Sequence, residues 1–349
     1  MVHRMQLPRE VVVGNETIEL ISGICKKLGF SKSAFIVTGP KTYHVAGRKV
    51  MDLLSDTGIS VDYLMVNSST MKDVVAVEEK IKESRPQIVL GIGGGTKIDV
   101  AKLSSARQGL PFMSIPTTAS HDGIASPLVS LKGLEKPYSV MAQSPMAIIA
   151  DTSIIIQASH RFAASGCGDV LAKFTSVRDW EVAHNVKNEY YGEYAASLAM
   201  MGAKLVVRNA ALIKPGVDEG LRVLLEALIS CGVAMSIAGS SRPCSGSEHL
   251  FSHALDLLVP NQALHGEKCG LGTIMMAYLH KLGWRRIRAT LKKVGAPTTA
   301  EELKIEPERV VEALVQASTI RPERYTILEE KKLSYGSARK LAKATGVID

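Results

Sequence analysis

The chain has no long hydrophobic run. Its longest stretch without Asp, Glu, Lys or Arg is 227–241, fifteen residues, shorter than a bilayer span and suited to a buried helix. Residues 1–10, MVHRMQLPRE, hold no apolar core of a secretory signal, so a cytoplasmic protein with no integral membrane segment is expected. Cysteine is sparse: Cys25, Cys167, Cys231, Cys244 and Cys269 are odd in number and show no C-x-x-C spacing. Neither a disulfide framework nor a thiolate zinc site is indicated. What is there is an ordinary globular composition, 46% hydrophobic and 22% charged over 349 residues, at a length that favours two domains or one large α/β unit.

The net charge of +8 is unevenly placed, because +6 of it falls in 281–349. The densest piece, 284–293 (WRRIRATLKK), has five positive charges and no acid, but only Trp284 as an aromatic. Such runs are usually solvated helix faces. A nucleic-acid partner is not expected, and an anionic small substrate fits the balance better.

Strand and helix signals alternate through the first 150 residues. Short apolar runs at 11–14, 34–39, 61–66, 87–93 and 111–116 read as strands, and helical spacing covers 18–28, 41–54 and 71–84. This alternation predicts a parallel sheet with helices on both faces. Beyond about Ser159 strand signals almost vanish, and helices are predicted at 162–184, 195–212, 219–237, 247–258, 268–282 and 307–320. The expected architecture is α/β: a Rossmann-like dinucleotide-binding domain over 1–159, an all-helical metal- and substrate-binding domain over 160–349, and the site in the cleft between them.

One turn stands out. In 91–99 (GIGGGTKID) a strand ends in glycines and a helix begins. Glycine lets the backbone approach a phosphate, and the helix start offers N–H groups and a positive dipole end to it. Thr96 and Asp99 have capping-box spacing. The run is neither G-x-G-x-x-G, since Thr96 holds the sixth place, nor a Walker motif, and no acid follows about 20 residues on to hold a ribose. A second polar loop, 116–127 (PTTASHDGIASP), leaves the next strand's carboxyl end. Its Thr117, Thr118, Ser120 and Ser126 could offer hydroxyls to a diphosphate or a nicotinamide amide.

His249 and His253 stand four apart on a predicted helix, hence on one face. His265 precedes the next helix, and Asp169 lies in the unusual setting 166–173 (GCGDVLAK). One carboxylate and two imidazoles leave an open position, as a catalytic divalent metal requires. No H-E-x-x-H is present, so a zincin protease is not indicated. His160, His184 and His280 read as structural or exposed, and Cys167 as a small buried residue rather than a nucleophile.

Taken in order, 91–99, 117–127, 168–173 and 249–265 resemble the archaeal-type sn-glycerol-1-phosphate dehydrogenases, within the iron-containing alcohol dehydrogenase, glycerol dehydrogenase and dehydroquinate synthase superfamily. The likeness runs along the whole chain and is densest from 90 to 270. It implies reduction of dihydroxyacetone phosphate by NADH or NADPH to sn-glycerol 1-phosphate, the backbone of archaeal membrane lipids. By the same resemblance Gly95, Thr96, Lys97, Ile98 and Asp99, with Thr117, Thr118, Ala119, Ser120 and Ser126, would contact NAD(H) or NADP(H). Asp169, His249 and His265 would hold Zn2+. Asp122, His253 and Asp169 would contact substrate as catalytic residues. Iron-type relatives carry a fourth ligand, a histidine, where this chain has Lys173, which cannot coordinate while protonated. That favours a three-ligand Zn2+ site, and Lys173 or a neighbouring base is expected to help bind the substrate phosphate. His253 is expected to orient substrate or relay the proton, with an unperturbed pKa.

Three rivals remain at this level. A lyase of the dehydroquinate synthase type also uses a dinucleotide and one carboxylate with two histidines, but that carboxylate is usually glutamate. A glycerol dehydrogenase would act on the unphosphorylated ketone. A non-enzymatic nucleotide-binding protein would leave Asp169, His249 and His265 unexplained. No lone acid or arginine at 39–40 or 67–69 selects NADH or NADPH. The apolar helices lead us to expect a homo-oligomer.

Overall fold

Helix and strand alternate from Glu10 to Pro116, and a later strand, Ala147–Asp151, joins the same parallel sheet. The computed structural model describes residues 5–131 and 139–349, and the chain divides after Ser159 into two compact units. The first unit contains β1 (Glu10–Gly14), β2 (Ser33–Thr38), β3 (Ser60–Met65), β4 (Ile88–Gly93), β5 (Phe112–Pro116) and β8 (Ala147–Asp151). These pair in the order β1-β8-β5-β4-β2-β3, every pair parallel. The central strands are covered on both faces and so are nearly continuous apolar runs, IVLGIG in β4 and FMSIP in β5, each buried throughout. The edge strand β3 carries Ser60 and Asp62 outward. A short antiparallel pair, β6 (Leu128–Ser130) with β7 (Ser139–Met141), stands apart from the sheet.

Two features depart from the sequence pattern. The series of strands does not close at residue 116, because β8 inserts between β5 and β1. Its apolar core, AIIA, is too short to carry a period. The segment expected as one helix over 162–184 is two, His160–Leu171 and Lys173–Lys187, which part at Ala172. Four other helices follow their predicted apolar stripes: Glu193–Asn209, Asp218–Ala238, Ser247–Leu258 and Pro307–Ile320. The next helix, His265–Leu279, begins three residues before its expected start. The basic run forms Trp284–Lys293, with Arg285, Arg286, Lys292 and Lys293 exposed, as a solvated face requires. Asp218–Ala238 is the one helix among the described residues with the length and apolar content of a membrane span, and it is mostly buried within the protein.

The second unit is held by crossings without side chains. A Cβ at Gly168 would run into the carbonyl oxygen of Gly266, and one at Gly266 into that of Ser165. The helix His160–Leu171 therefore meets His265–Leu279 backbone to backbone. On its next face, a Cβ at Gly272 would stand 2.8 Å from the carbonyl of Glu248, on Ser247–Leu258. Two ion pairs fasten the same three helices: Arg161 Nε to Glu267 Oε1 at 2.5 Å, and Lys268 with Asp256.

Gly168→Ala and Gly266→Ala should each cost about 3 kcal/mol, at the upper end of overpacking penalties, and should weaken metal binding by separating these helices. Gly23→Ala, in the helix Ile21–Lys27 with nothing within 4 Å of the new methyl, should instead stabilise by about 0.5–1 kcal/mol. Denaturant unfolding of the three variants checks both signs.

Candidate active site

In the first unit the glycine turn and the polar loop come together. β4 ends at Gly93, whose φ of +152° lies where side chains are rarely accommodated. The helix Gly95–Arg107 then starts behind Gly94, which caps it with no side-chain hydrogen bond. The Thr96–Asp99 capping box expected from spacing is therefore not formed. A Cβ on Gly95 would collide with the His121 imidazole, and one on Gly94 would lie 3.3 Å from Thr118 Oγ1. The loop after β5 thus rests on the turn after β4, and the missing side chains leave room for it.

Lys97 reaches the other way, where its stem would strike a Cβ on Gly39 at the end of β2. The chain runs from β2 out to β3 and returns to β4 on the opposite side of β2, so β2 and β4 flank the topological switch point. Open α/β sheets bind ligands there, outside the carboxyl ends of the strands.

Asp99 turns inward: it is buried, accepts from Ser130 N at 3.0 Å, and stands 3.5 Å from Lys102 Nζ. Lys102 is fully buried and donates to the carbonyls of Gly123 (2.8 Å) and Leu128 (2.7 Å), and burial pulls its pKa down. Asp99 and Lys102 thereby tie the helix to the loop beside it. Ile98, Thr117, Ala119 and Ser126 are also buried, while Thr96, Lys97, Thr118, Ser120 and Asp122 keep partial exposure. The His121 ring is fixed by Gly123 N donating to its Nδ1 at 2.9 Å.

In the second unit Asp169, fully buried on the helix His160–Leu171, has Oδ1 3.5 Å from His249 Nε2. His265 opens its own helix, with its ring centroid 5.0 Å from that of His249 and 6.2 Å from that of His253. One nitrogen from each of His249 and His265 and the thiol of Cys269 lie within 4.8 Å of one another. Cys269 Sγ is 3.6 Å from His265 Nε2. Burial alone would raise the Asp169 pKa, but Lys173 and the two histidines hold it well below the usual carboxylate range. Burial likewise opposes charge on His249, yet Cys269, Asp169 and Glu248 hold its pKa well above the ordinary value. A carboxylate and two imidazoles with a thiol beside them form a donor set suited to a borderline cation such as Zn2+.

Two expectations are corrected here. Lys173 is fully buried and donates to Asp169 Oδ1 at 2.9 Å across the break at Ala172, so its charge faces the carboxylate and not a substrate phosphate. His253 does not keep an ordinary pKa. Burial, with the cations His249, Lys268, Arg321 and Arg324, pushes it down to about 3, leaving a neutral ring near pH 7. His160, His184 and His280 bond to Val294 O, Glu189 O and Asp179 respectively, as structural histidines do. Cys167 is buried with its pKa raised by burial.

Residues 12–159 match the model of a family described as iron-containing alcohol dehydrogenase. Over its whole length the chain is similar to glycerol-1-phosphate dehydrogenase [NAD(P)+] of Pyrococcus furiosus, at 53% identity covering 99% of this chain and 100% of that one. The relative of that name in Methanosarcina mazei is 52% identical over 99% and 97%. The chain belongs to the glycerol-1-phosphate dehydrogenase family. It is an oxidoreductase. Its fold is shared by a glycerol dehydrogenase of Schizosaccharomyces pombe, with a TM-score of 0.83, 21% identity and coverage of 99% and 90%.

Sequence reasoning missed the group that orients a candidate ligand histidine. His249 Nδ1 lies 2.7 Å from Glu248 Oε1, and Glu248, fully buried, also accepts from Gly246 N at 2.7 Å and Thr175 Oγ1 at 2.6 Å. A carboxylate at Nδ1 keeps a proton there, so that Nε2 is the nitrogen that would give up its proton to a metal. The signal was an acid adjacent to a candidate ligand, but helical neighbours do not usually face each other. Cys269 stands one turn after His265, a spacing that brings its thiol to the imidazole although no C-x-x-C pattern marks it.

For this member of the glycerol-1-phosphate dehydrogenase family, His249→Ala and His265→Ala should abolish metal uptake. Glu248→Gln should weaken it about 10–100-fold, the usual cost of losing an outer carboxylate. Metal analysis after dialysis and competitive chelator titration read both. The depressed His253 pKa gives a second expectation. The fold favours the neutral ring, so the stabilisation this provides is full above the unfolded value near 6.5 and declines as pH falls from there toward 3. The His253 ring resonances should show no titration between pH 8 and pH 5.

Proposed function

We propose that the protein reduces dihydroxyacetone phosphate to sn-glycerol 1-phosphate with NADH or NADPH, in a Zn2+-dependent reaction that supplies the glycerophosphate backbone of membrane lipids. The single observation that carries this reading is the 53% identity, along essentially the whole chain, to a protein named for that product. The local geometry supports it. The first unit (1–159) takes the dinucleotide: Gly95 and Thr96, at the helix start behind Gly94, would meet its diphosphate, and Thr117, Thr118, Ala119, Ser120 and Ser126 would form the adjoining wall. Lys97 and Ile98 continue the first turn of that helix, and Asp99 acts from beneath through Ser130 and Lys102. The second unit (160–349) takes metal and substrate.

Asp169, His249 and His265 would hold the metal, with Cys269 beside the imidazoles. When bound, Zn2+ supplies Lewis acidity toward a carbonyl. The remaining roles belong to the chain. Glu248 keeps the His249 proton on Nδ1, and Lys173 holds Asp169 ionised before metal arrives. Neutral His253 can donate or accept a hydrogen bond and so orients a substrate hydroxyl, and Asp122 contacts the substrate from the polar loop. A dinucleotide held there would supply the hydride for the carbonyl carbon, and the carbonyl oxygen would take its proton from solvent. The protein works in the cytoplasm as a homo-oligomer.

In zinc-loaded protein, dihydroxyacetone phosphate should oxidise NADH or NADPH with strong preference over dihydroxyacetone, and chelator-stripped protein should be inactive until zinc returns. Absorbance at 340 nm reads the reaction. Equal rates on the two ketones would make the protein a glycerol dehydrogenase, and no turnover of either would bring forward the lyase reading.

A further inference from the structure

The second unit gathers cations near His253 and Arg324, and three of them are matched by carboxylates. Arg242 grips Glu189 with Nε at 2.6 Å and with Nη2, and its Nη1 donates to the carbonyl of Tyr325 at 2.9 Å. Lys268 pairs with Asp256, and Arg321 Nε lies 2.9 Å from Glu323 Oε1. Arg324 differs. It is 6% exposed, yet its guanidinium donates only to neutral oxygens, Nη1 to the carbonyl of Ser245 and Nη2 to Ser241 Oγ at 2.6 Å. It forms no ion pair among the described residues. Two of its five N–H donors are so used. Buried charges are ordinarily paired, because desolvation is costly without a partner. Burial, with Arg321 and Arg242 nearby, pushes its pKa down to about 9 against the pull of Glu189 and Glu248.

Its place is equally specific. Ser241 and Ser245 belong to the turn leading into Ser247–Leu258, the helix that carries His249 and His253. The charge of Arg324 bears on His253, and that of Glu248 bears on Arg324.

We propose that Arg324, with Arg321 beside it, receives the phosphate dianion of the substrate and is the residue that separates the phosphorylated ketone from the unphosphorylated one. The proposal rests on the reduction reading above for the identity of the ligand. A phosphate monoester supplies the counter-charge that Arg324 lacks, and a guanidinium fork is suited to its oxygens. It also gives a cation for the role that buried Lys173 does not take.

The test compares zinc-loaded wild type with Arg324→Gln and Arg324→Lys. For Arg324→Gln the ratio of kcat/KM on dihydroxyacetone phosphate to that on dihydroxyacetone should fall about a hundredfold, through KM for the phosphate ester. Zinc content and dinucleotide affinity should stay as in wild type. Inorganic phosphate, titrated calorimetrically, should bind wild type and not Arg324→Gln. Should Arg324→Gln fail to fold, Arg324→Lys, which keeps the charge but not the fork, should lower the ratio about tenfold. An unchanged ratio in a folded variant, or equal phosphate binding by wild type and Arg324→Gln, overturns the proposal. If wild type does not turn over dihydroxyacetone phosphate at all, the reduction reading fails. The phosphate titration then decides alone: binding lost in Arg324→Gln upholds the anion site, and binding retained overturns it.

Discussion

The metal-type site of this protein depends on main-chain contact between helices. Asp169 follows Gly168 directly, His265 precedes Gly266 directly, and Glu248 next to His249 lies against Gly272. Each candidate ligand is thus one residue from a point where two backbones touch. A helix pair separated by side chains can slide as those side chains change rotamer, whereas close contact between backbones fixes spacing more tightly. The ion pairs Arg161–Glu267 and Lys268–Asp256 act on the same three helices from their ends. Packing here sets the geometry in which a carboxylate and two imidazoles converge.

On that frame sits a chain of buried charges that makes sense only as a set. Asp169 and Lys173 are both fully buried and pair at 2.9 Å. An ion pair so placed is poor evidence of stability in itself, since desolvating both groups offsets their attraction. Its value lies in keeping Asp169 ionised, and Glu248 does the complementary work of fixing the tautomer of His249. In the first unit Lys102, buried against two carbonyls and Asp99, links the helix after the glycine turn to the loop beside it. Buried lysine serves position in both units.

Much of this was legible in the sequence because it is local. The strands β2, β4 and β5 are apolar runs bounded by glycine or proline, and Met71–Ser84, Ser247–Leu258 and Pro307–Ile320 have a clear apolar stripe, so their limits could be read directly. The glycine turn and the histidine pair were visible as spacing. What was not legible depends on contacts distant along the chain. β8 is a strand because β1 and β5 flank it, not because AIIA is strongly strand-like. Asp99 has the spacing of a capping residue but finds Ser130 thirty-one positions away. The pKa of His253 depends, besides burial and His249 on its own helix, on Lys268, Arg321 and Arg324 from two other segments.

The glycine crossings also bear on how the site tolerates change. The carbonyls of Ser165, Gly266 and Glu248 that fill the space beside those glycines are the same atoms whatever residue occupies their positions. The packing distance between the helices of the candidate ligands is therefore written in atoms that substitution elsewhere does not alter. Drift in the surrounding apolar core, such as exchanges among Leu, Ile, Met and Val, can proceed without shifting the candidate ligands. The vulnerability is concentrated instead at three residues, Gly168, Gly266 and Gly272, where even the smallest addition, a single methyl group, meets backbone.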